Sequence, residues 1–390
     1  MRKLRDRGAL LYRLASRIDQ VRADFRRPAL IDALSGVDEG LALRLVKLDD
    51  LDAASCKSRR ELTLKQKATI EELLHQKYAA EQKKFLYDNA IDDAVRGTID
   101  NGNMSTLNCP EEVWLAEKLI ELHPWADMVR FARSGGEANA LAIRIARAAT
   151  GKDKVAVCGY HGWHDWYLSA NLGDDENLAG HLLPGLEPNG VPGNLKGTVF
   201  PFNYNNYAEL EALVNRHDIG VIKMEVVRNM GPEDDFLHKV RKLATDRGIV
   251  LIFDECTSGF RQTFGGLHKM YGVEPDMAMF GKALGNGYAI TAVIGKKSVM
   301  EAAQSTFISS TFWTERVGPV AANATLELMK KEKSWDYITQ IGIQIQKGLN
   351  ALAKEYQIQL DLGGIPALTS FGFDCDSPLA FKTFYTQEML

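Results

Sequence analysis

From about residue 90 onward, short runs of consecutive apolar residues alternate with stretches whose apolar positions recur every three to four residues. Short, mostly apolar runs bounded by polar turns predict strands buried on both faces. Such runs are Lys154–Cys158 (KVAVC), Val221–Met224, Ile249–Phe253 (IVLIF), Met277–Phe280 and Ile290–Ile294. The intervening pattern predicts helices over Tyr207–Arg216 and Glu233–Arg247, and further on over Ala321–Met329 and Ile341–Leu352. Buried strands separated by helices imply a mostly parallel sheet flanked by helices, an α/β layer architecture. After the last helix the pattern predicts a short extended piece, GGIPALTSFGFD.

The first 87 residues have a different texture. Leu10, Leu14, Ile18, Val21 and Phe25 recur at helical spacing, among nine Arg or Lys and three Asp within residues 1–30. This reads as a basic amphipathic helix. The aspartates and the lack of a serine-rich character argue against a transit peptide, and no apolar core supports a secretory signal. A second helical stretch begins at Pro28. A third covers residues 60–85, with Thr63 as a cap and Leu73, Leu74 and Tyr78 on one face. None of this carries recognisable chemistry, so residues 1–87 form a helical segment of unassigned role. The expected division is 1–87, a large α/β domain at 88–320, and the start of a small C-terminal domain, truncated, at 321–390.

Composition narrows the function classes. The chain has 390 residues, 45% hydrophobic and 25% charged, which is ordinary globular usage. A net charge of −4 offers no global basic field for nucleic acid or anionic membrane. No apolar run approaches the roughly 20 residues needed to span a bilayer. Cys56, Cys109, Cys158, Cys256 and Cys375 are scattered and odd in number, without a C-x-x-C, which suits a reduced, cytoplasmic compartment.

Four local features carry candidate chemistry. Arg133-Ser134-Gly135-Gly136-Glu137 precedes a strongly helical stretch; it is either a tight turn or a helix start whose free N–H groups hold a phosphate. Gly159-Tyr160-His161-Gly162-Trp163-His164-Asp165 follows a strand. It reads as a metal loop, as a loop laying an aromatic ring on a flat ligand, or as packed tryptophans in a polar turn. Asp254 and Glu255 end the apolar strand IVLIF; a carboxylate there must meet a cation, either an arginine such as Arg261 or a protonated ligand nitrogen. Lys282, between Gly281 and Ala283, is either a surface turn lysine or an amine whose removal from water favours the neutral form that attacks an aldehyde. Taken in order, phosphate turn, aromatic loop, strand-end acid and lysine are the four parts that pyridoxal 5′-phosphate requires.

The motifs SGGEANALAIRIARAATG, GYHGWHDW, LIFDECTSGFR, FGKALGNGY and SSTFWTERVGP resemble the class-III aminotransferases, in particular the glutamate-1-semialdehyde 2,1-aminomutase-like branch, over about residues 88–375. The resemblance implies a type-I pyridoxal-phosphate fold working as a homodimer on a small-molecule amino donor and a carbonyl acceptor. It casts Lys282 as the Schiff-base lysine and Asp254 as the partner of the pyridinium nitrogen. Tyr160 would stack on the ring, with His161 beside it and Cys256 where a valine normally packs. Ser134, Gly135 and Gly136 match the phosphate turn, and Thr311 matches a threonine that reaches the neighbouring subunit's phosphate. Glu225, with Asn229 nearby, resembles a Glu-Pro segment beside the cofactor, with Val226 in place of the proline. The usual N-terminal Trp-Asp-x-Asp-Gly hairpin is replaced here by a helical run ending LYDNAIDDAVRG.

Three other readings remain at this point. Decarboxylase or racemase chemistry uses the same scaffold. A cofactor-binding member without turnover follows if the altered ends remove the pocket walls. A zinc hydrolase on His161 and His164 would not depend on Lys282. Arg133, Arg228, Arg261 and Arg316 are candidate partners for a substrate carboxylate, with Arg316 favoured as structural.

Overall fold

A computed structural model describes residues 90–104, 106–173, 177–178, 180–181, 187–227, 229–375 and 377–389. The helical readings for residues 1–87 therefore lie outside the described residues, as do Cys56 and Arg228. By internal contacts the chain forms two units. The larger comprises Ile91–Ala351 and Leu360–Phe371; the described part of the other is Ala90, Leu352–Gln359 and residues 372–389.

In the larger unit, α1 (Ala90–Asp100) and α2 (Pro110–Leu122) precede β1 (Met128–Ala132) and α3 (Gly135–Thr150). Then come β2 (Lys154–Cys158), the single-turn α4 (Asp165–Leu168), β3 (Val199–Pro201) and α5 (Tyr207–Arg216). Next are β4 (Ile219–Met224), α6 (Phe236–Asp246), β5 (Val250–Glu255), β6 (Met277–Phe280) and β7 (Thr291–Gly295). α7 (Lys297–Met300), α8 (Val317–Glu332) and α9 (Ser334–Tyr356) follow, the last running into the smaller unit. The predicted strands, and the helices over Tyr207–Arg216, Glu233–Arg247 and Ala321–Met329, fall within a few residues of these bounds, whereas α9 begins seven residues before the predicted Ile341 and ends four after Leu352. Two short strands, β1 and β3, escape the apolar-run criterion because Arg130 interrupts one and Pro201 ends the other. The end of the chain departs from expectation: after β8 (Leu360–Gly363) and β9 (Ser370–Phe373) comes another helix, α10 (Pro378–Met389). In the smaller unit, Phe373 packs against Phe381 and Tyr385.

The sheet has seven strands in the order β1-β7-β6-β5-β4-β2-β3. β3, β2, β4, β5 and β6 are parallel, and β7 runs antiparallel to both of its neighbours. The C-terminal ends of β1, β2, β4, β5 and β6 therefore share one edge. Ligands of such sheets bind at that edge. All six residues of β4 and of β5 are buried, as strands covered on both faces must be.

The period of two sorts each strand between two cores. Val157, Val221, Ile252, Met277, Met279 and Val293 face the stripe Ala138, Leu141, Ala142, Ile145 and Ala146 of α3. On the other face Ala156, Ile222, Met224, Leu251 and Phe253 meet Leu210 and Val214 of α5 and Leu237, Val240 and Ala244 of α6. Leu115 and Leu119 of α2 and Leu326 of α8 continue that layer over Ala278, Phe280 and Ile294. α3 is anchored at both ends. Ser134 accepts the N–H of Glu137 at 3.2 Å, Glu137 in turn accepts the N–H of Arg133 at 2.8 Å, and Gly151 closes the helix at φ +66°. Replacing Ile145 with alanine would cost about 2–5 kcal/mol.

Candidate active site

Alternation along β5 sends its two terminal carboxylates to opposite faces. Asp254 points to the α3 side, where it is 5% exposed. Its Oδ2 lies 2.9 Å from His161 Nδ1 and 3.7 Å from Lys223 Nζ, and its Oδ1 accepts the N–H of Cys256 at 3.2 Å. Burial alone would push this carboxyl up; the charge of Lys223 and the His161 hydrogen bond outweigh it and hold the group well below the usual carboxylate range. Asp254 thus meets a cation, as a buried acid must, but the cation is Lys223 of β4 rather than Arg261.

His161 is fully buried, and both its ring nitrogens face acceptors: Asp254 and the carbonyl of Cys158 at 3.2 Å. His164 lies instead against Gly136, where an added Cβ would come within 2.8 Å of its ring. The two histidines of the loop therefore do not converge. Among the described residues no three His, Cys, Asp or Glu side chains form a group that could hold a metal.

The loop after β2 is pressed onto the start of α3. A Cβ on Gly162 would sit 3.2 Å from the Cα of Gly136, and Gly162 itself adopts φ +93°. This closeness brings the first two candidate motifs together. The N–H groups of Gly135 and Gly136 lie in the first turn of α3, where no intrahelical carbonyl reaches them. On the loop's other side, Glu225 accepts the N–H of Tyr160 at 3.2 Å. A side chain at Gly159, which adopts φ +110°, would collide with the Glu225 carboxylate at 2.4 Å. The Tyr160 ring is 46% exposed, edge-on to Tyr167.

Lys282 opens the turn after β6 at φ +45°, a left-handed conformation uncommon outside glycine. Its carbonyl, which accepts the N–H groups of Gly285 and Asn286 at 3.1 and 3.0 Å, fixes that turn. Its Nζ donates to Thr257 Oγ1 at 2.5 Å, tying it to the segment that follows Asp254. Lys282 is exposed in this chain rather than removed from water. Buried Cys256 lies between the two: a Cβ on Gly281 would be 3.5 Å from its sulfur, and burial pushes the thiol up.

Other candidates are placed less centrally. Asn229 is exposed, and its carbonyl accepts the N–H of Gly364 at 2.7 Å. Thr311 is exposed on a turn beside Phe312, whose carbonyl binds the guanidinium of Arg133 at 2.9 Å. Arg133 is also paired with Glu315 and bonded to the carbonyl of Ala289 at 2.8 Å, which commits it structurally. Arg316 holds both carboxylate oxygens of Glu111, at 2.5 and 3.3 Å, again a structural role. Arg261 is half buried, with no partner for its Nε among the described residues. The residues that motif reading passed over are Lys223 and Thr257. Lys223 had a visible signal: it is the single polar side chain in the strand IGVIKM.

A phosphate-sized anion, a flat ring and an aldehyde are matched here by free N–H groups at a helix start, an exposed tyrosine face and an exposed lysine amine. A buried ionised acid lies at the same sheet edge. The donor set fits pyridoxal 5′-phosphate, and the fold is that of the type-I pyridoxal-phosphate transferases.

Comparison with known proteins gives the family. Residues 88–385 match the family model "Aminotransferase class-III", and the chain belongs to that family. It is 34% identical over 310 residues to 3-aminobutyryl-CoA aminotransferase of Cloacimonas acidaminovorans, covering 77% of this chain and 71% of that protein. It is 33% identical over 312 residues to glutamate-1-semialdehyde 2,1-aminomutase of Francisella tularensis, covering 76% and 70%. Among solved structures it resembles an omega-transaminase from Sphaerobacter thermophilus, with a TM-score of 0.65 and 27% identity over 78% of this chain and 72% of that one. The protein is thus a pyridoxal-phosphate-dependent enzyme of amino-group transfer, acting on small-molecule amines and carbonyl compounds. No helix among the described residues is long and apolar enough to cross a membrane.

Proposed function

We propose that this chain transfers an amino group, between two small molecules or within one, using Lys282 Nζ as the attachment point of the cofactor aldehyde and Asp254 as the partner of its ring nitrogen. The observation that carries the reading is Asp254 itself: a buried, ionised acid at the C-terminal end of a central strand, in a segment bonded to Lys282 through Thr257. When bound, pyridoxal phosphate supplies the carbonyl that takes up amino groups and a ring that draws electrons from the substrate α-carbon.

The chain's own residues do the rest. The N–H groups of Gly135 and Gly136, with the α3 dipole, hold the phosphate; Ser134 fixes that helix start by capping it. Tyr160 would stack on the ring, and Cys256 would pack against it as a small hydrophobe. Asp254, kept ionised by His161 and Lys223, holds a proton on the ring nitrogen. Lys282 Nζ takes the proton from the substrate α-carbon and returns it, as base and then acid. Glu225 keeps Tyr160 in place through its backbone N–H. Asn229, which follows Glu225 by four residues, is the further polar residue that we assign to the cofactor's surroundings.

The working unit we propose is a homodimer in the cytoplasm. Thr311 lies on an exposed segment with Phe307 and Phe312, which are 85% and 51% exposed, as a residue serving a second copy would be. Thr311→Ala should weaken cofactor binding in the dimer about tenfold, as the loss of one hydrogen bond to a charged group does. Equal cofactor affinity in both proteins, by equilibrium dialysis, would remove the threonine from the site. A half-reaction screen of amino donors, read by cofactor absorbance, tests the activity; no spectral change with any amine would overturn it.

A further inference from the structure

β4 places a lysine in the interior of the sheet. Lys223 is 0% exposed, and burying an ammonium demands a partner. The register supplies one. Lys223 pairs laterally with Ile252 of β5, two residues before Asp254, and Asp254 pairs with Met279 of β6. All four share the α3 side of the sheet. The ammonium therefore reaches diagonally across β5, 3.7 Å from Asp254 Oδ2 and 2.9 Å from Met279 Sδ. A thioether is a weak acceptor, so the carboxylate is the partner that matters. The titratable groups around Asp254 are Lys223 from β4, His161 from the loop after β2, and Cys256 beyond β5. Glu225 and Lys282 act from the rim.

A carboxylate facing one protonated ring nitrogen makes a neutral buried pair. With Lys223 added, the same three groups carry a net positive charge in a dry site, which is unfavourable unless one cation gives up its proton. We propose that Lys223 is a resident counter-ion of Asp254, balancing the carboxylate before the cofactor arrives and competing with the cofactor's ring nitrogen for it afterwards. Lys223 is thus a positioning residue, and it sets how firmly the ring nitrogen keeps its proton. The inference rests on the reading of Asp254 given above, so the test separates the two.

The first measurement uses the full chain without cofactor. Unfolding midpoints are compared for the wild type, Lys223→Met, Asp254→Asn and the double variant. Lys223→Met leaves the Asp254 carboxylate without its counter-ion, with only His161 and the N–H of Cys256 to meet it, and Asp254→Asn leaves the ammonium without its carboxylate; each should unfold more easily. The double variant should recover most of the loss. Additive losses would overturn the counter-ion assignment; a Lys223→Met chain that fails to fold while the double variant folds would support it. The second measurement follows the ring-nitrogen resonance of 15N-labelled cofactor with pH. In Lys223→Met the ring proton should persist to a pH about one unit higher, a tenfold gain in proton affinity, and Lys223→Gln, uncharged but able to hydrogen-bond, should behave likewise. If Asp254→Asn shifts this titration and neither Lys223 variant does, the role of Lys223 is wrong. If Asp254→Asn leaves it unmoved, Asp254 is not the ring partner and the functional reading fails first.

Discussion

Asp254 and Glu255 are adjacent in sequence, both are buried and each binds a histidine, yet they serve different ends. Asp254, on the α3 side, is met by His161 and Lys223, at the edge where Gly135, Tyr160 and Lys282 gather. Glu255, on the other side, accepts the N–H groups of Leu267 and His268, bonds to His268 Nδ1 at 2.5 Å and takes the Ser258 hydroxyl at 3.3 Å. His268 Nε2 accepts from Trp125 at 3.0 Å, and His123 Nε2 accepts the N–H of Gly266 at 2.8 Å. Every partner of Glu255 thus belongs to the segment that follows β5, and the network fastens that segment to the turn after α2. A saturated carboxylate has nothing left to offer a ligand. Asp254 has fewer partners, the His161 ring and the N–H of Cys256, with the Lys223 ammonium 3.7 Å away. Burial and a histidine partner therefore do not by themselves mark a catalytic acid; in the function proposed here it is the place of Asp254 at the sheet edge that sets it apart.

The largest effect that would sharpen this contrast is at Lys282. Lys282→Ala should lower turnover by about 10³-fold or more while leaving the unfolding midpoint near wild type, since a general acid–base group contributes at that scale and its side chain is exposed. Retained turnover would break the site apart.

Asp254→Asn comes next. It leaves Lys223 buried and unpaired, at a cost on the order of 3–5 kcal/mol of stability in the cofactor-free protein, and it weakens cofactor binding as well. Urea unfolding and a cofactor titration read the two effects separately.

Acid should weaken the Glu255 side first. Burial holds the His123 pKa down at about 4, against 6.5 when exposed. The folded pKa lies below the unfolded one, so the unfolded chain binds the extra proton between those values. Stability from this group is full above pH 6.5 and falls as pH drops toward 4, by about 3 kcal/mol in all. Asp254, also held below its ordinary value of 3.8, gives up its contribution only below that pH. Unfolding midpoints taken from pH 7 to 4.5 should show a slope that largely vanishes in His123→Asn; an unchanged slope would assign the acid sensitivity elsewhere.

The smallest effect is Glu255→Gln. It removes a charged acceptor from the network and should cost about 1–3 kcal/mol of stability. The cofactor dissociation constant should stay within about threefold of wild type. A loss of cofactor affinity matching that of Asp254→Asn would erase the distinction between the two faces.

Much of this was legible in the chain itself. IVLIF followed by Asp-Glu announces a buried strand ending in acids, and Gly135 and Gly136 ahead of a helical stretch announce a turn or a helix start with free N–H groups. The period of two even assigns Asp254 and Glu255 to opposite faces. What it leaves open is which acid meets what, because the partners come from elsewhere: Lys223 from β4, His268 and Trp125 from positions 13 residues later and about 130 residues earlier. Lys223 hides inside an apolar strand, where pattern reading averages a single polar residue away. Helix α10 was obscured because its apolar residues follow no sharp helical stripe.

Borohydride reduction of the cofactor-loaded protein, followed by peptide mass mapping, tests the central assignment most directly, because it converts the lysine–cofactor link into a stable adduct. The account predicts a single modified peptide carrying the phosphopyridoxyl mass on Lys282. An adduct on Lys223 or another lysine, or none at all, would contradict it.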